Sequence, residues 1–419
     1  MNPAAADPPE SPLPPPGRHI PALDGLRGLA ILLVLIFHQT VMVPATAADR
    51  AFARVVGHFG SGVDLFFVLS GFLITGILFD SKGSAGYFRS FFARRALRIF
   101  PLYYAVLFAV LVVLPHFPNP KLAKWGVSGA DQLWYWLYLA NWRIGWVGFR
   151  HGILDVSWSL AIEEQFYLIW PFAVAALGRR SLVGLCVGLI AGAFVTRVAL
   201  AAAGGPAMGV HTFTTSRMDT LAAGALIALL ARGPGGLGRL QKPARWAALG
   251  GAGVLAAAWS SGWTPGGLGG AILHSAEYSA TAAAFGGLLV LAVAAPAGSR
   301  LARGLAWPPL LALGTYSYAL YLFHYPILGL IRDLAYGPSR FPRVLGSPLP
   351  GQLAFYAAAT LPALGLAWLS WHLYERPFLK LKRFFAPGRP GAAPAPGRPH
   401  GADRAARPAP VQDPRAYES

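Results

Sequence analysis

The chain has 419 residues, 55% hydrophobic and only 12% charged, whereas a soluble domain carries about 25% charged residues. A mean hydropathy of +0.48, 13% aromatics and many apolar runs exclude both a soluble globule and a disordered chain, and point to a polytopic helical membrane protein. The lone cysteine, Cys186, excludes a disulfide framework, a Cys-based zinc site and an iron–sulfur cluster; the formal charge of +18 is read as topology-setting Lys and Arg, with no nucleic-acid partner and no metal expected.

Residues 1–17, ending PLPPPG, are proline-rich and lack the basic segment and cleavage site of a signal peptide, so a disordered tail is expected. Apolar stretches follow near 28–48, 61–80, 99–116, 132–148, 158–178, 181–203, 217–232, 245–263, 272–295, 308–332 and 351–374. Residues 386–419, rich in Pro, Ala, Gly and Arg, read as a second disordered tail. That leaves 18–385 as one membrane domain. The loop 81–98 carries Lys82, Arg89, Arg94, Arg95 and Arg98, so it is expected in the cytoplasm, and the N-terminus two spans earlier with it. If 132–148 spanned, Arg179/Arg180, Arg300/Arg303 and the cluster Arg232, Arg239, Lys242, Arg245 would all fall outside. If it is re-entrant or interfacial, all three fall inside, and its Trp and Tyr density suits an interface. The expected fold is an all-α transmembrane bundle of about ten spans in the cell membrane, both termini cytoplasmic.

Ionisable groups inside a membrane cost at least about 2.5–3.5 kcal/mol each, so they pair or line a path. In the first span, DGLRGLAILLVLIFHQ, Arg27 and His38 are eleven residues apart, on nearly the same helix face and separated by about 16 Å. That places Arg27 at a cytoplasmic mouth and His38 near mid-bilayer. Arg27 alone equally suits a positive-inside anchor, and a lone His a packed, hydrogen-bonded residue. The second span carries Asp64 near its outer end and is interrupted by Ser70-Gly71, where a small residue lets helices approach closely. In YFRSFFARRALRIFPLYY, Arg95 and Arg98 share one face of a short amphipathic helix, suited to a diphosphate or to lipid headgroups.

The segment SWSLAIEEQFYLIWP sets Glu163 and Glu164 into an otherwise apolar run. Adjacent residues point about 100° apart, so one carboxylate is expected to face a polar cavity while the other caps or hydrogen-bonds. Arg197 falls within a span. Arg217 and Asp219 open another, His324 sits mid-span in TYSYALYLFHYP, and Glu375-Arg376 reads as a local ion pair.

Taken together, LDGLRGLAILLVLIFH, SGVDLFFVLSGFLI, FFARRALRIFPLYY, WSLAIEEQFYLIWP, SYALYLFHYPI and YERPF resemble, in order and spacing, the acyltransferase-3 family of integral-membrane O-acyltransferases over roughly 18–385. The resemblance implies transfer of an acyl group, acetyl foremost, from cytoplasmic acyl-CoA to a hydroxyl of a surface glycan or a small secondary metabolite such as a macrolide. It places the family's donor-binding arginines at Arg27, Arg95 and Arg98, and its catalytic residues at His38 and, as the acidic motif, at Glu163 and Glu164. Acceptor contacts are expected from Asp64, Trp158 and His324. Some relatives carry a fused extracytoplasmic domain; here any such partner is expected on a separate chain. The competing reading is a proton-coupled transporter or flippase, which also uses midplane His and carboxylates, although no inverted repeat is visible in 200–385.

Overall fold

The computed structural model describes residues 20–117, 127, 129–150, 152–261, 267–332 and 341–386. The expected tails therefore lie almost wholly outside the described residues. Within them the chain is helical, and its one β-bridge, Val344 to Ser347, is isolated. Among the described residues six helices are long and apolar enough to cross a membrane, within Pro21–Gln39, Ala47–Asp80, Tyr87–His116, Arg179–Ala202, Gly267–Val293 and Leu349–Phe385.

Helix α1 (Pro21–Gln39) opens with proline in its first turn, where the missing N–H costs nothing, and Asp24 follows. After α2 (Ala47–Gly57), α3 (Gly62–Asp80) packs on α1 through Leu65, Val68, Leu69 and Phe72 against Leu23, Leu26 and Ala30. The two are staggered. A Cβ on Gly62 would lie 2.6 Å from the Ala30 carbonyl, so the first turn of α3 stands level with the middle of α1. Arg27 consequently lies beside the body of α3, where it shares a cavity with Ser70.

Helix α4 (Tyr87–Phe108) is 22 residues long, so Arg95 and Arg98 sit near the middle of a long helix and not on a short amphipathic one. Residues 132–148 form no spanning helix. They divide between α5 (Gly129–Trp136) and α6 (Ala140–Val147), eight residues each and so about 12 Å long, against a hydrocarbon core of about 30 Å. Tyr138, at φ 55°, breaks the chain between them. Gln165 on α7 (Ser157–Ala176) holds the break, donating to the Tyr138 carbonyl and to Asn141 Oδ1, both at 2.8 Å. It also accepts from Thr214.

The rest of the bundle comprises α8 (Arg179–Ala202), α9 (Ala207–Thr212), α10 (Thr214–Ala231), α11 (Gln241–Ser261) and α12 (Gly267–Val293). It continues through α13 (Arg300–Leu305), α14 (Pro308–Thr315), α15 (Ser317–Leu330) and α16 (Leu349–Ser370). The stretch expected as one span at 308–332 is thus broken at Tyr316. Gly71 has the packing role read from sequence. A Cβ there would lie 1.9 Å from the Leu221 carbonyl, and one on Gly224 would lie 2.0 Å from the Val68 carbonyl. Helices α3 and α10 therefore touch backbone to backbone, as small residues permit in membranes.

Candidate active site

A cavity of about 130 Å³ lies among α1, α3, α4, α7 and α15. Arg27, Arg95 and Arg98 line it together with Ser70, Glu163, Tyr167, Tyr318 and Tyr321. The two arginines of α4 stand one turn apart and so reach the same wall. Arg27 donates to Asp24 at 3.2 Å. Arg95 makes no hydrogen bond or ion pair among the described residues, and Arg98 has a buried Nη1 without a partner while its guanidinium lies 5.3 Å from the Trp371 ring. Buried donors of this kind are normally satisfied, so the cavity is short of acceptors.

The adjacent glutamates part company. Glu163 Oε1 accepts from Ser70 Oγ at 3.0 Å and Oε2 from Tyr167 Oη at 3.1 Å, and the residue lines the cavity. Glu164 does not; its Oε1 is buried without a hydrogen-bond partner. Both sit beyond the first turn of α7, which has no side-chain cap, so neither is the capping residue that the sequence allowed.

His38 and His324 meet. His324 Nε2 lies 3.1 Å from His38 Nδ1, while His324 Nδ1 faces the Tyr321 and Leu320 carbonyls at 2.8 and 3.1 Å. Carbonyls only accept, so a neutral His324 carries its proton on Nδ1 and presents Nε2 as an acceptor. His38 must then donate from Nδ1. Its Nε2 is left with a lone pair, which is the arrangement a proton acceptor needs. Tyr321 connects this pair to the cavity: it lines the cavity, and its carbonyl fixes His324. No hydrogen bond joins either glutamate to His38 among the described residues.

Asp64 and Trp158 belong to a neighbouring group. Arg217 Nη2 donates to Asp64 Oδ1 at 2.6 Å, and its guanidinium lies 4.6 Å from the Tyr278 ring and 5.7 Å from those of Phe67 and Trp158. Arg197 pairs with Asp219 at 2.7 Å and donates to the Ser216 carbonyl. His211 Nδ1 lies 3.0 Å from Tyr278 Oη. These contacts tie α3, α8, α10 and α12 into one buried polar cluster, separated from the cavity by Phe67, which lines the cavity. The sequence placed Arg197, Arg217 and Asp219 in spans but gave no sign of their partners. Glu375 departs from its expected role: it accepts from Ser370 at 3.1 Å and makes no ion pair with Arg376 among the described residues. No group of His, Cys, Asp or Glu able to hold a metal ion occurs among the described residues.

A family model described as an acyltransferase domain matches residues 20–372. The chain is 32% identical to YrhL of Bacillus subtilis (strain 168) over 86% of its own length and 55% of that protein's. It is 32% identical to the peptidoglycan O-acetyltransferase OatA of Listeria monocytogenes serovar 1/2a over 75% of this chain and 50% of that one. It is 30% identical to the O-acetyltransferase OatA of Staphylococcus aureus (strain NCTC 8325 / PS 47) over 74% and 51%. The chain spans about half the length of the curated relatives it matches, and no solved structure matches it. This chain is a multi-pass membrane protein of the acyltransferase-3 family.

Proposed function

We propose that the chain is an O-acyltransferase that moves an acyl group, acetyl foremost, from acyl-CoA to a hydroxyl of a glycan or glycosylated small molecule. The observation that carries this reading is the His38–His324 hydrogen bond, which leaves His38 Nε2 as a base on the helix that also brings Arg27 to the cavity. Arg27, Arg95 and Arg98 suit the donor's phosphates, because guanidiniums bind them by paired, charge-assisted hydrogen bonds. The distance of about 16 Å from Arg27 to His38 along α1 is comparable to an extended pantetheine arm.

In the proposed step His38 Nε2 removes the proton of the acceptor hydroxyl as its oxygen attacks the thioester carbonyl. The tetrahedral adduct collapses with cleavage of the carbon–sulfur bond. The thiolate takes the proton back from His38, giving ester and free CoA. Glu163, held by Ser70 and Tyr167, sets the position of Arg95 and of the donor; Glu164, turned away from the cavity, has no direct part. Asp64 and Trp158 act on the acceptor through the wall they build with Arg217. The peptidoglycan named for the Listeria relative makes a cell-wall glycan the first acceptor to try.

The test is incubation of the purified chain with labelled acetyl-CoA and cell-wall glycan fragments, with mass spectrometry of the products. An acetylated glycan and stoichiometric free CoA support the reading. A folded chain that moves an unmodified glycan or lipid-linked sugar across a vesicle membrane while releasing no CoA would replace it with the carrier reading. The same proposal takes ten spans, both termini cytoplasmic and 18–385 as one domain. Cysteines near Gly148 should then react with an impermeant reagent from outside, and those near Gly235 and Arg300 should not.

A further inference from the structure

Helix α1 ends at Gln39, one residue after His38. A helix leaves its last four carbonyls without intrahelical donors, and the common remedy is a glycine that turns the chain back in the left-handed region. Here Thr40 follows instead, extended at φ −78° and ψ 94°. Thr40 covers two of the carbonyls, donating from its hydroxyl to Ile36 at 2.6 Å and from its N–H to Phe37 at 3.3 Å. The Gln39 carbonyl and the next two free N–H groups are met from α16, 310 to 313 positions further along the chain.

Gln352 Oε1 accepts from the Val41 and Met42 N–H groups, both at 3.0 Å, and its Nε2 donates to the Gln39 carbonyl at 2.8 Å. Gln352 has no exposed surface, where an amide is costly unless hydrogen-bonded, and these three bonds go to the backbone just past His38. Tyr356 and Thr360, one and two turns along α16 on the same stripe, continue the hold. Tyr356 Oη lies 2.6 Å from Thr40 Oγ1, and since the threonine's proton goes to Ile36, the tyrosine is the donor. Thr360 donates to Gln39 Oε1 at 2.9 Å. Beside them Phe355 and Ala359 pack with Met42 and with Leu328, which stands one turn beyond His324 on α15. Helix α16 therefore braces both helices whose histidines meet. The bond between those histidines, at 3.1 Å, survives little movement of either helix, and His38 stands in the last turn of α1, where fraying begins.

We propose that Gln352, with Tyr356 and Thr360, is a positioning residue for His38. It holds the end of α1 at the setting in which His38 Nδ1 meets His324 and Nε2 stays free for the acceptor hydroxyl. This rests on the reading of His38 as the base. Gln352 acts through the backbone of residues 39–42 and not on the reacting atoms.

The experiment makes two measurements on the full chain in detergent. One is turnover with acetyl-CoA and cell-wall glycan fragments. The other is the tautomer of His38, read by nitrogen NMR of isotope-labelled histidines and assigned by the signals lost in His38→Ala. Gln352→Met keeps the length of the side chain and removes its three bonds. It should lower kcat about tenfold or more with the KM for acetyl-CoA unchanged, and the Nδ1–H tautomer of His38 should give way to a mixture. In a His38→Ala background the same substitution should change the residual rate by less than about twofold, because the group it positions is gone. Tyr356→Phe removes a single bond and should show the same pattern at about threefold; it carries the test if Gln352→Met shows no cooperative melting. An equal loss in the two backgrounds overturns the assignment, as a packing effect. Wild-type kcat with an unchanged tautomer in folded Gln352→Met overturns it outright, and a raised KM at unchanged kcat overturns it in favour of a donor contact. If the tautomer shifts as expected while His38→Ala keeps wild-type turnover, the base reading fails and the hold on His38 stands.

Discussion

Two groups of arginines stand on either side of Phe67. On one side Arg197 and Arg217 each hold a carboxylate, at 2.7 and 2.6 Å, and almost no surface of either arginine reaches solvent. On the other, Arg95 holds none and Arg98 leaves a buried nitrogen without a partner. The same side chain therefore has two meanings. Where the chain supplies the counter-charge, with π-faces of Tyr278, Phe67 and Trp158 around it, the arginine joins helices. Where the chain withholds it and leaves a cavity of about 130 Å³, the arginine is prepared for an anion from elsewhere. Hydrogen-bond accounting separates the two cases, and exposure runs with it, since Arg197 and Arg217 are fully buried while Arg95 and Arg98 are half-buried.

The comparison predicts opposite phenotypes, and the largest effect belongs to the closed cluster. Asp219→Asn leaves the fully buried Arg197 without its counter-charge, which should cost about 3–5 kcal/mol of stability. Folded yield and melting temperature in detergent should fall sharply. Arg95→Ala should leave both unchanged, since it removes a charge the chain does not neutralise. A melting temperature that drops equally for the two variants would erase the distinction.

Next in size is the base. His38→Ala should lower turnover by about 10²-fold or more while acetyl-CoA still binds, because the arginines are untouched. His324→Ala should cost about tenfold or more by releasing the tautomer of His38, a smaller loss than removal of the base itself. His324→Gln, able to accept through its side-chain oxygen, should recover part of that loss. A His324→Ala loss exceeding that of His38→Ala would move the base to α15.

Arg98→Ala should weaken acetyl-CoA binding by the equivalent of about 1.5–3 kcal/mol, the usual worth of a hydrogen bond to a charged group. The effect should appear in donor affinity more than in the rate at saturating donor. Unchanged affinity in a folded Arg98→Ala variant would make α4 a lipid anchor and not a donor site.

The sequence made much of this legible and left the rest hidden for identifiable reasons. The Arg27–His38 spacing and the Arg95/Arg98 pair are local, one helix each, so helical periodicity alone brings each pair to one face. The bend in 132–148 was visible as charge bookkeeping and aromatic density, and the structure supplies its cause in Tyr138 and Gln165. The contacts that sequence could not show are long-range. His324 is 286 positions from His38 and Arg217 is 153 from Asp64, and periodicity carries no information across such loops. His324 was accordingly expected only as an acceptor contact, whereas the fold places it against His38.

The smallest effect tests whether burial or pairing makes the closed cluster costly to disturb. Arg232 holds Asp80 with two hydrogen bonds of 2.6 Å, a geometry as good as that of Arg217 with Asp64, but their side chains remain 19% and 26% exposed. Water can replace the lost partner there, and exposed or half-exposed pairs contribute about 0–1 kcal/mol. Asp80→Asn should therefore shift the melting temperature slightly at most, and added salt should shrink the difference further. Asp219→Asn should keep its large effect at any ionic strength, because no ion reaches Arg197. If the two Asp→Asn substitutions cost the same, pairing geometry and not exclusion of water sets the energy. The contrast drawn across Phe67 would then have to be rebuilt on hydrogen-bond count.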